Sequence, residues 1–164
     1  MRILLAICTG LRENDIDCLK VADFDFTANT LNTVNGKAGK IVPNFPLHPE
    51  LVKALKKFQP AGDILLKGKF HNETFHKIRK AAGLNHFTFH DLRRTFASFI
   101  AQAGFSNSVT QNLLQHSTAS LTHQVYTNVD PVYRQAVESV PITIRDEPDD
   151  EIKERSNQFM GDGI

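Results

Sequence analysis

The sequence has only two cysteines and no long apolar segment. Cys8 and Cys18 fit no spacing of metal ligands, and two cysteines in 164 residues do not predict a disulfide scaffold. We therefore expect a reducing compartment, the cytoplasm. No stretch approaches the ~20 consecutive apolar residues that a membrane-spanning helix needs, so no membrane segment is expected.

Motifs for metal and nucleotide chemistry are also missing. The chain has no aspartate-rich or histidine–cysteine cluster of the kind that holds a metal ion. It has neither a P-loop nor a GxGxxG loop, both of which bind nucleotide phosphates. The sequence therefore predicts no metal and no cofactor, and any phosphate chemistry has to rest on side chains alone.

Charge is distributed unevenly along the chain. Up to Val140 the sequence has 16 Lys and Arg against 11 Asp and Glu, a net charge of +5, whereas 141–164 has 3 against 7, a net charge of −4. Length and composition are those of one soluble globular domain. We expect this domain to occupy 1–140 and the acidic residues 141–164 to form a disordered tail. A mildly basic body permits nucleic-acid binding without requiring it.

Hydrophobic periodicity predicts an α+β domain that is mainly helical. An apolar run over 1–8 indicates the end of a buried helix, and Gly10 ends it. Residues 30–46 fit a β-hairpin with lysines in its glycine-containing turn, and Pro43 indicates an edge strand or a strand end. Further helices are predicted at 12–19, 49–58, 72–82, 88–104, 106–114 and 130–140, with one more around Tyr126, and 63–66 fits a short strand.

The helix that begins near Thr88 has the first candidate site residues. Thr88 and Asp91 fit a capping box. His90 and Arg93 are three residues apart, so their side chains share one face, and a helix N-terminus favours an anion through its amides and dipole. A surface pair without a ligand is the alternative that this helix alone leaves open. The predicted buried face holds Leu92, Phe96, Phe99 and Ile100.

Arg12 and two lysines are further candidates for contacting a phosphate. An arginine with Asp15 one turn further on can be held by the carboxylate and still present its guanidinium to a phosphate. A purely structural Arg12–Asp15 ion pair is the alternative. Lys37 and Lys40 flank the hairpin turn, where a mobile cation could reach a substrate, although lysines in turns are usually only solvated.

A second histidine and a tyrosine complete the set. His116 follows a predicted helix, and Tyr126 lies ten residues further on. Taken alone, Tyr126 is explained as well by a place at the edge of the core. Together, two arginines, a lysine, two histidines and a tyrosine make a site for a phosphodiester without a metal. The six candidates are Arg12, Lys37, His90, Arg93, His116 and Tyr126.

These residues lie in motifs that resemble the catalytic domain of the tyrosine recombinase (phage integrase) family. The matching segments are Thr9-Gly10-Leu11-Arg12, Gly36-Lys37-Ala38-Gly39-Lys40-Ile41-Val42-Pro43, His90-Asp91-Leu92-Arg93, Leu113-Leu114-Gln115-His116-Ser117 and Tyr126-Thr127-Asn128. The resemblance covers about residues 1–140. It implies the family's mainly helical catalytic fold, with a small antiparallel β-sheet or hairpin on one side.

The resemblance also implies an activity, namely site-specific DNA recombination or integration through a 3′-phosphotyrosyl intermediate. Tyr126 would be the nucleophile and Lys37 the acid for the leaving 5′-oxygen, with Lys40 in reserve, while His90 or His116 would act as the base. Further implied roles are phosphate binding by Arg12, Arg93 and His116, support of Arg12 by Asp15, and DNA binding by Lys40 and Arg94. The implied partners are double-stranded DNA and other copies of the chain, as a homotetramer on that DNA.

The chain departs from the family pattern in three respects. Gln115 stands where the family commonly has glycine, and the interval from His116 to Tyr126 is slightly longer than is commonest. The chain also begins inside the catalytic domain, so we expect the family's N-terminal core-binding domain to be absent and the chain to be a fragment or remnant. Two alternatives to a recombinase stay open: an inactive DNA-binding remnant of a mobile element, and a type IB topoisomerase, which shares the chemistry.

Overall fold

The computed structural model describes residues 1–35, 40–58, 60, 62–66, 72–114 and 131–144. The helices are α1 (Arg2–Thr9), α2 (Glu13–Asp17), α3 (Pro49–Lys57), α4 (Asn72–Ala81), α5 (Phe89–Gln102), α6 (Asn107–Leu113) and α7 (Pro131–Glu138), and the strands are β1 (Phe24–Asp25), β2 (Thr30–Asn35) and β3 (Lys40–Pro46). The predicted fold class, a mainly helical α+β domain with a small antiparallel sheet, is confirmed. The helix predicted around Tyr126 lies outside the described residues.

α1 and α5 pack against each other and supply much of the core. Apolar residues recur every fourth position on one face of α5, where Leu92, Phe96 and Ile100 are at most 4 % exposed. α1 contributes Leu5 and Ala6, which have no exposed surface, to the same cluster. Burying a large apolar side chain stabilises a fold by about 1.5–3 kcal/mol. This contact therefore fixes the first turn of α5 relative to the turn that follows α1.

The sheet has three antiparallel strands in the order β1–β2–β3. The predicted hairpin is confirmed, since β2 and β3 pair from Thr30 opposite Pro46 to Asn35 opposite Lys40. β1 was not expected as a strand. It is only two residues long, which is too short to show an alternating pattern in the sequence.

One prediction about strand residues is confirmed and one needs correction. Pro43, expected on an edge strand or at a strand end, lies inside β3, which is an edge strand of the described sheet. Residues 63–66 do not form the predicted strand. They make one isolated antiparallel bridge, between Ile64 and Lys20, which joins this segment to the residues after α2.

The helix starts follow the predicted capping signals. Thr88 and Asp91 form the capping box of α5, with each side chain reaching the other's backbone. Ser106, rather than Asn107, caps α6 and accepts a hydrogen bond from the N–H of Val109 at 3.4 Å. These contacts orient the helices that bring the candidate residues together.

The C-terminal part of the described chain is held by hydrogen bonds to α6 and to the start of α3. Asn112 donates to the hydroxyl of Tyr133 on α7 at 2.8 Å. Farther on, His48 bonds to the carbonyl of Val140 at 3.0 Å, and the N–H of Ile144 donates to Glu50 at 3.0 Å. The first four residues of the predicted tail, 141–144, therefore lie against α3, while 145–164 are outside the described residues.

The helices are short compared with a bilayer. α5 has 14 residues, and at about 1.5 Å per residue it reaches roughly 21 Å, against a hydrocarbon core of ~30 Å. Within the ranges that the structure describes, no helix combines the length and apolar character that crossing a membrane requires.

Candidate functional site

The turn after α1 determines where the first arginine lies. Gly10 is the C-cap residue of α1, and its φ of 65° is in the left-handed region. A Cβ atom on this residue would lie 2.6 Å from the ring of Phe96 and 2.8 Å from the side chain of Leu114. Glycine is required here both by the backbone angle and by this close packing. Arg12 then serves as the N-cap residue of α2, two residues after the turn.

Arg12 makes the predicted contact with Asp15. Its guanidinium Nη1 lies 3.7 Å from the Asp15 carboxylate, one helical turn away. The Arg12 side chain is 38 % exposed, whereas that of Asp15 is 6 % exposed. The carboxylate therefore lies on the protein side of the pair, and the arginine keeps an open side toward solvent.

Arg93 lies deeper than the sequence suggested. It is 6 % exposed, and its guanidinium donates to two backbone carbonyls, those of Gly10 and Leu114. These carbonyls follow α1 and α6, so one side chain on α5 ties three helices together. Because Arg93 is buried, the alternative of a surface pair with His90 is wrong for this residue. Sequence periodicity marks the faces of α5, but it does not show which carbonyls lie opposite them.

The surroundings of Arg93 are also electrostatically unusual. Burial, together with the nearby positive charge of Arg12, lowers the pKa of its guanidinium to about 10, while the charge of Asp15 opposes this shift. Arg93 remains protonated at neutral pH, because 7 is well below this value. Two guanidinium groups that repel each other form a site where a bound anion relieves the repulsion.

His90 lies in the first turn of α5 and is exposed. The capping box beside it holds Asp91 in place, since the hydroxyl and the N–H of Thr88 both donate to its carboxylate, at 2.6 and 2.8 Å. These hydrogen bonds lower the pKa of the Asp91 carboxyl. Arg94 also contacts Asp91, at 3.1 Å, and its side chain is 73 % exposed. The order of the turn fixes where His90 projects from the helix.

Three of the six predicted catalytic residues line one cleft. Arg12, His90 and Arg93 border a cavity of about 250 Å³ between the start of α2 and the start of α5. Glu13 and Asn14 line the same cleft. Glu13 and Asn14 were not predicted from the sequence as site residues. The available signal was that they are the next two residues after Arg12.

The side chains of the other candidates are not described by the structure. Lys37, His116 and Tyr126 are outside the described residues, so their predicted roles stay predictions. Lys40 is the first residue of β3, and only its place in the strand is described. Across the described ranges there is no group of three His, Cys, Asp or Glu side chains that could hold a metal ion.

The sequence matches the model of the "Phage integrase family" over residues 1–132. It is 31 % identical over 151 residues to tyrosine recombinase XerA of Pyrococcus furiosus, a match that covers 83 % of this chain and 52 % of that protein. It is 34 % identical over 136 residues to tyrosine recombinase XerC of Rhizobium meliloti, covering 74 % of this chain and 42 % of that protein. The chain thus spans about half the length of the curated relatives that it matches.

Solved structures share the fold. The integrase from mycobacterium phage Brujita superposes with a TM-score of 0.73 at 22 % identity, covering 94 % of this chain and 55 % of that one. The crystal structure of a XerA recombinase gives a TM-score of 0.57, also at 22 % identity, covering 93 % of this chain and 54 % of that one. With a family model that matches most of its length and a fold that these structures share, the chain belongs to the phage integrase family.

Proposed function

We propose that this chain is the catalytic domain of a site-specific DNA recombinase, which cleaves and rejoins DNA strands through a 3′-phosphotyrosyl intermediate. The observation that supports this most strongly is the convergence of Arg12, His90 and Arg93 on one small cleft. Two arginines and a helix N-terminus at one point make a binding site for a phosphodiester. The proposed domain is 1–140, and 141–164 is the proposed tail, of which 141–144 are packed.

Both arginines supply N–H donors to the phosphate. A guanidinium has five N–H donors, and the carbonyls of Gly10 and Leu114 leave further donors of Arg93 for a ligand. Arg12, which is partly exposed and loosely paired with Asp15, supplies a second set. Donors aimed at the non-bridging oxygens stabilise the charge that grows in the transition state, and losing one such donor typically costs about 10²–10³ in rate.

Tyr126 is the proposed nucleophile. Its phenol oxygen attacks phosphorus, the bond to the 5′-oxygen breaks, and the strand is left with a free 5′-hydroxyl and a 3′-phosphotyrosine link to the protein. The phenol, with an ordinary pKa of ~10, gives its proton to His90 or His116, and Lys37 protonates the leaving oxygen. Attack by the 5′-hydroxyl of another strand reverses the step and restores the phosphodiester, so no external energy source is needed.

The partners and location follow from this function as further proposals. Double-stranded DNA is the substrate, with Lys40 and Arg94 contacting its backbone near the cleft. Recombination joins two duplexes at once, so a tetramer of the complete protein on DNA is the proposed assembly. The proposed location is the cytoplasm, where the DNA is accessible to a reduced enzyme.

A nicked substrate tests the function directly. Duplexes of randomised sequence that contain a nick trap the covalent intermediate, because the short cleaved piece diffuses away and cannot be rejoined. We expect a protein–DNA adduct that survives denaturing electrophoresis, and we expect Tyr126→Phe to abolish it while DNA binding is retained. The matched control is Tyr133→Phe, which removes the hydroxyl that Asn112 contacts on α7 and should leave the adduct intact.

The outcome separates the proposal from its alternatives. An adduct that persists in Tyr126→Phe, or DNA binding with no adduct at all, would contradict the enzymatic proposal. The second result is what an inactive DNA-binding remnant gives. Relaxation of supercoiled DNA without exchange between duplexes would indicate a topoisomerase instead.

A further inference from the structure

A second, larger cavity lies directly beside the phosphate cleft. It measures about 730 Å³ and lies between α4 and the first turn of α5. Three aromatic side chains line it, Phe75, Phe87 and Phe89, and we call it the phenylalanine groove. Its charged lining includes Glu13, Glu73, Lys77 and Arg79. The volume is within the range of ~300–1,000 Å³ that is typical of small-ligand pockets.

The groove and the phosphate cleft are continuous. Glu13, Phe89 and His90 border both cavities. A nucleotide whose phosphate contacts Arg12 in the cleft therefore has its neighbouring nucleoside at the mouth of the groove. This continuity is what connects the groove to nucleic acid rather than to an unrelated ligand.

The backbone of Phe87 is held in place beside the groove. Its N–H donates to the carbonyl of Leu84 at 3.1 Å, and its own carbonyl accepts a hydrogen bond from Arg79 at 3.0 Å. The rings of Phe75 and Phe89 contact each other edge to face, with centroids 5.6 Å apart and an interplanar angle of 62°. All three phenylalanines are only half-buried. The groove therefore offers aromatic surface whose position is set before any ligand arrives.

We propose that the phenylalanine groove binds one unpaired nucleobase of the DNA strand whose phosphate occupies the adjoining cleft; this inference rests on the function proposed above. A base inside an intact duplex is covered on both faces by its neighbours, whereas an unpaired base has a free face that stacks on an aromatic ring. Glu13 and Glu73 are acceptors for the exocyclic amino group of a base. A groove with aromatic rings and carboxylates next to a phosphate site matches this ligand.

The energetics decide which bases enter. Replacing an aromatic residue that stacks on a base by alanine weakens binding by about five- to a hundredfold. Taking a paired base out of a duplex costs a comparable amount, and the cost is smallest for mismatched or already single-stranded bases. The groove therefore leaves paired bases in the duplex and selects a base beside a gap, a mismatch or a strand end.

A pair of DNA probes tests this selection. One is a fully paired duplex containing 2-aminopurine, and the other has the same sequence with the 2-aminopurine left unpaired. We expect the wild-type chain to bind the second probe about tenfold more tightly and to shield its 2-aminopurine from quenching by acrylamide. The chain has no tryptophan, so the emission of the probe is read without a tryptophan background.

Substitutions in the groove identify the aromatic contact. Phe87→Ala should remove the preference for the unpaired probe and leave affinity for the paired duplex unchanged, whereas Phe87→Tyr should keep the preference. The matched control is Phe26→Ala, since Phe26 is also half-buried but lies against Phe24 beside the sheet, with ring centroids 6.0 Å apart. Thermal unfolding of each variant shows whether the fold is retained.

Several results would overturn the inference. It fails if the wild-type chain binds both probes equally, or if Phe87→Ala and Phe26→Ala have the same effect. It also fails if Phe87→Ala abolishes a dimer seen by sedimentation, because a second copy of the chain then fills the groove. In each case the adduct formed by Tyr126 still tests the proposed function separately, and a base preference without any adduct would contradict that function alone.

Discussion

The two arginines of the cleft are held in opposite ways. Arg93 is 6 % exposed and donates to two backbone carbonyls, those of Gly10 and Leu114. Arg12 has a 38 % exposed side chain and lies 3.7 Å from the carboxylate of Asp15. Both are expected to bind one phosphate, but only Arg93 is also part of the contact between helices.

This difference indicates a division of labour within one binding site. A side chain fixed by the backbone presents its donors at a set position and loses little freedom when the ligand binds. A half-exposed side chain adjusts to the ligand but must be ordered by it, at a cost in conformational entropy. Substitution of Arg93 should therefore damage both fold and function, whereas substitution of Arg12 should damage function alone.

Arg93→Ala should have the largest effect on stability. It leaves two buried carbonyls without their donor, and each unsatisfied buried acceptor costs about 1–3 kcal/mol, so we expect the free energy of unfolding to fall by about 2–5 kcal/mol. Loss of a phosphate donor should also lower the cleavage rate by about 10²–10³. Urea unfolding and adduct formation on the nicked substrate measure the two effects.

The next residue is the control for Arg93. Arg94 has a 73 % exposed side chain and contacts Asp91 within the same helix, so Arg94→Ala should leave the urea midpoint unchanged within error. If Arg93→Ala proved equally harmless to folding, its carbonyl contacts would not stabilise the helices, and the contrast with Arg12 would disappear.

His48 tests whether a side chain locked by the backbone can matter for stability alone. Its Nδ1 accepts from the N–H of Glu50 at 3.2 Å, and its Nε2 donates to the carbonyl of Val140 at 3.0 Å. It is 5 % exposed and does not line the phosphate cleft. His48→Leu removes a helix cap and orphans a carbonyl, and should lower the free energy of unfolding by about 1–3 kcal/mol while leaving DNA affinity unchanged.

The contribution of His48 should also depend on pH. Burial lowers the pKa of its imidazole below the ordinary 6.5, although the carbonyl of Val140 and the charges of Glu50 and Glu138 oppose this. The unfolded chain then takes up the proton more readily than the folded one. The stability difference between wild type and His48→Leu should be complete above pH 6.5 and shrink as the pH falls below it. A stability difference that grew as the pH fell would contradict a neutral imidazole that forms hydrogen bonds through both ring nitrogens.

Local features of the site were predictable from the sequence. The capping box of Thr88 and Asp91, the break at Gly10 and the pairing of Arg12 with Asp15 all depend on residues within three or four positions of one another. Such contacts follow from helix geometry, which sequence spacing reveals directly. The buried face of α5 was predictable for the same reason, except that Phe99 is half-buried.

Long-range features were not predictable. Arg93 reaches carbonyls 83 and 21 residues away, and a carbonyl is present at every residue, so no residue type marks the partner. The contact of His48 with Val140 spans 92 residues for the same reason. Glu13 is an ordinary acidic residue in the sequence, and it borders both cavities because the fold places the start of α2 across the cleft from the start of α5.

Arg12→Ala should have the smallest effect on stability and a large effect on function. The Arg12–Asp15 ion pair is partly exposed, and its N–O distance is 3.7 Å. Partly exposed ion pairs contribute only about 0–1 kcal/mol to stability. We expect little change in the urea midpoint but a 10²–10³-fold loss of cleavage rate, as for Arg93→Ala. Binding to duplex DNA should also lose one phosphate contact, which lowers the slope of log affinity against log salt by about 0.9.

The matched variant Arg12→Lys separates charge from geometry. Lysine keeps the positive charge and therefore the salt slope, but a single ammonium cannot make the paired hydrogen bonds of a guanidinium, so the cleavage rate should stay low. Arg12→Ala could instead lower the free energy of unfolding as much as Arg93→Ala. Asp15 would then need Arg12 as its partner for stability, just as the two carbonyls need Arg93. The two arginines would then be equivalent structural elements, and the division of labour between a fixed and an adjustable phosphate ligand would be wrong.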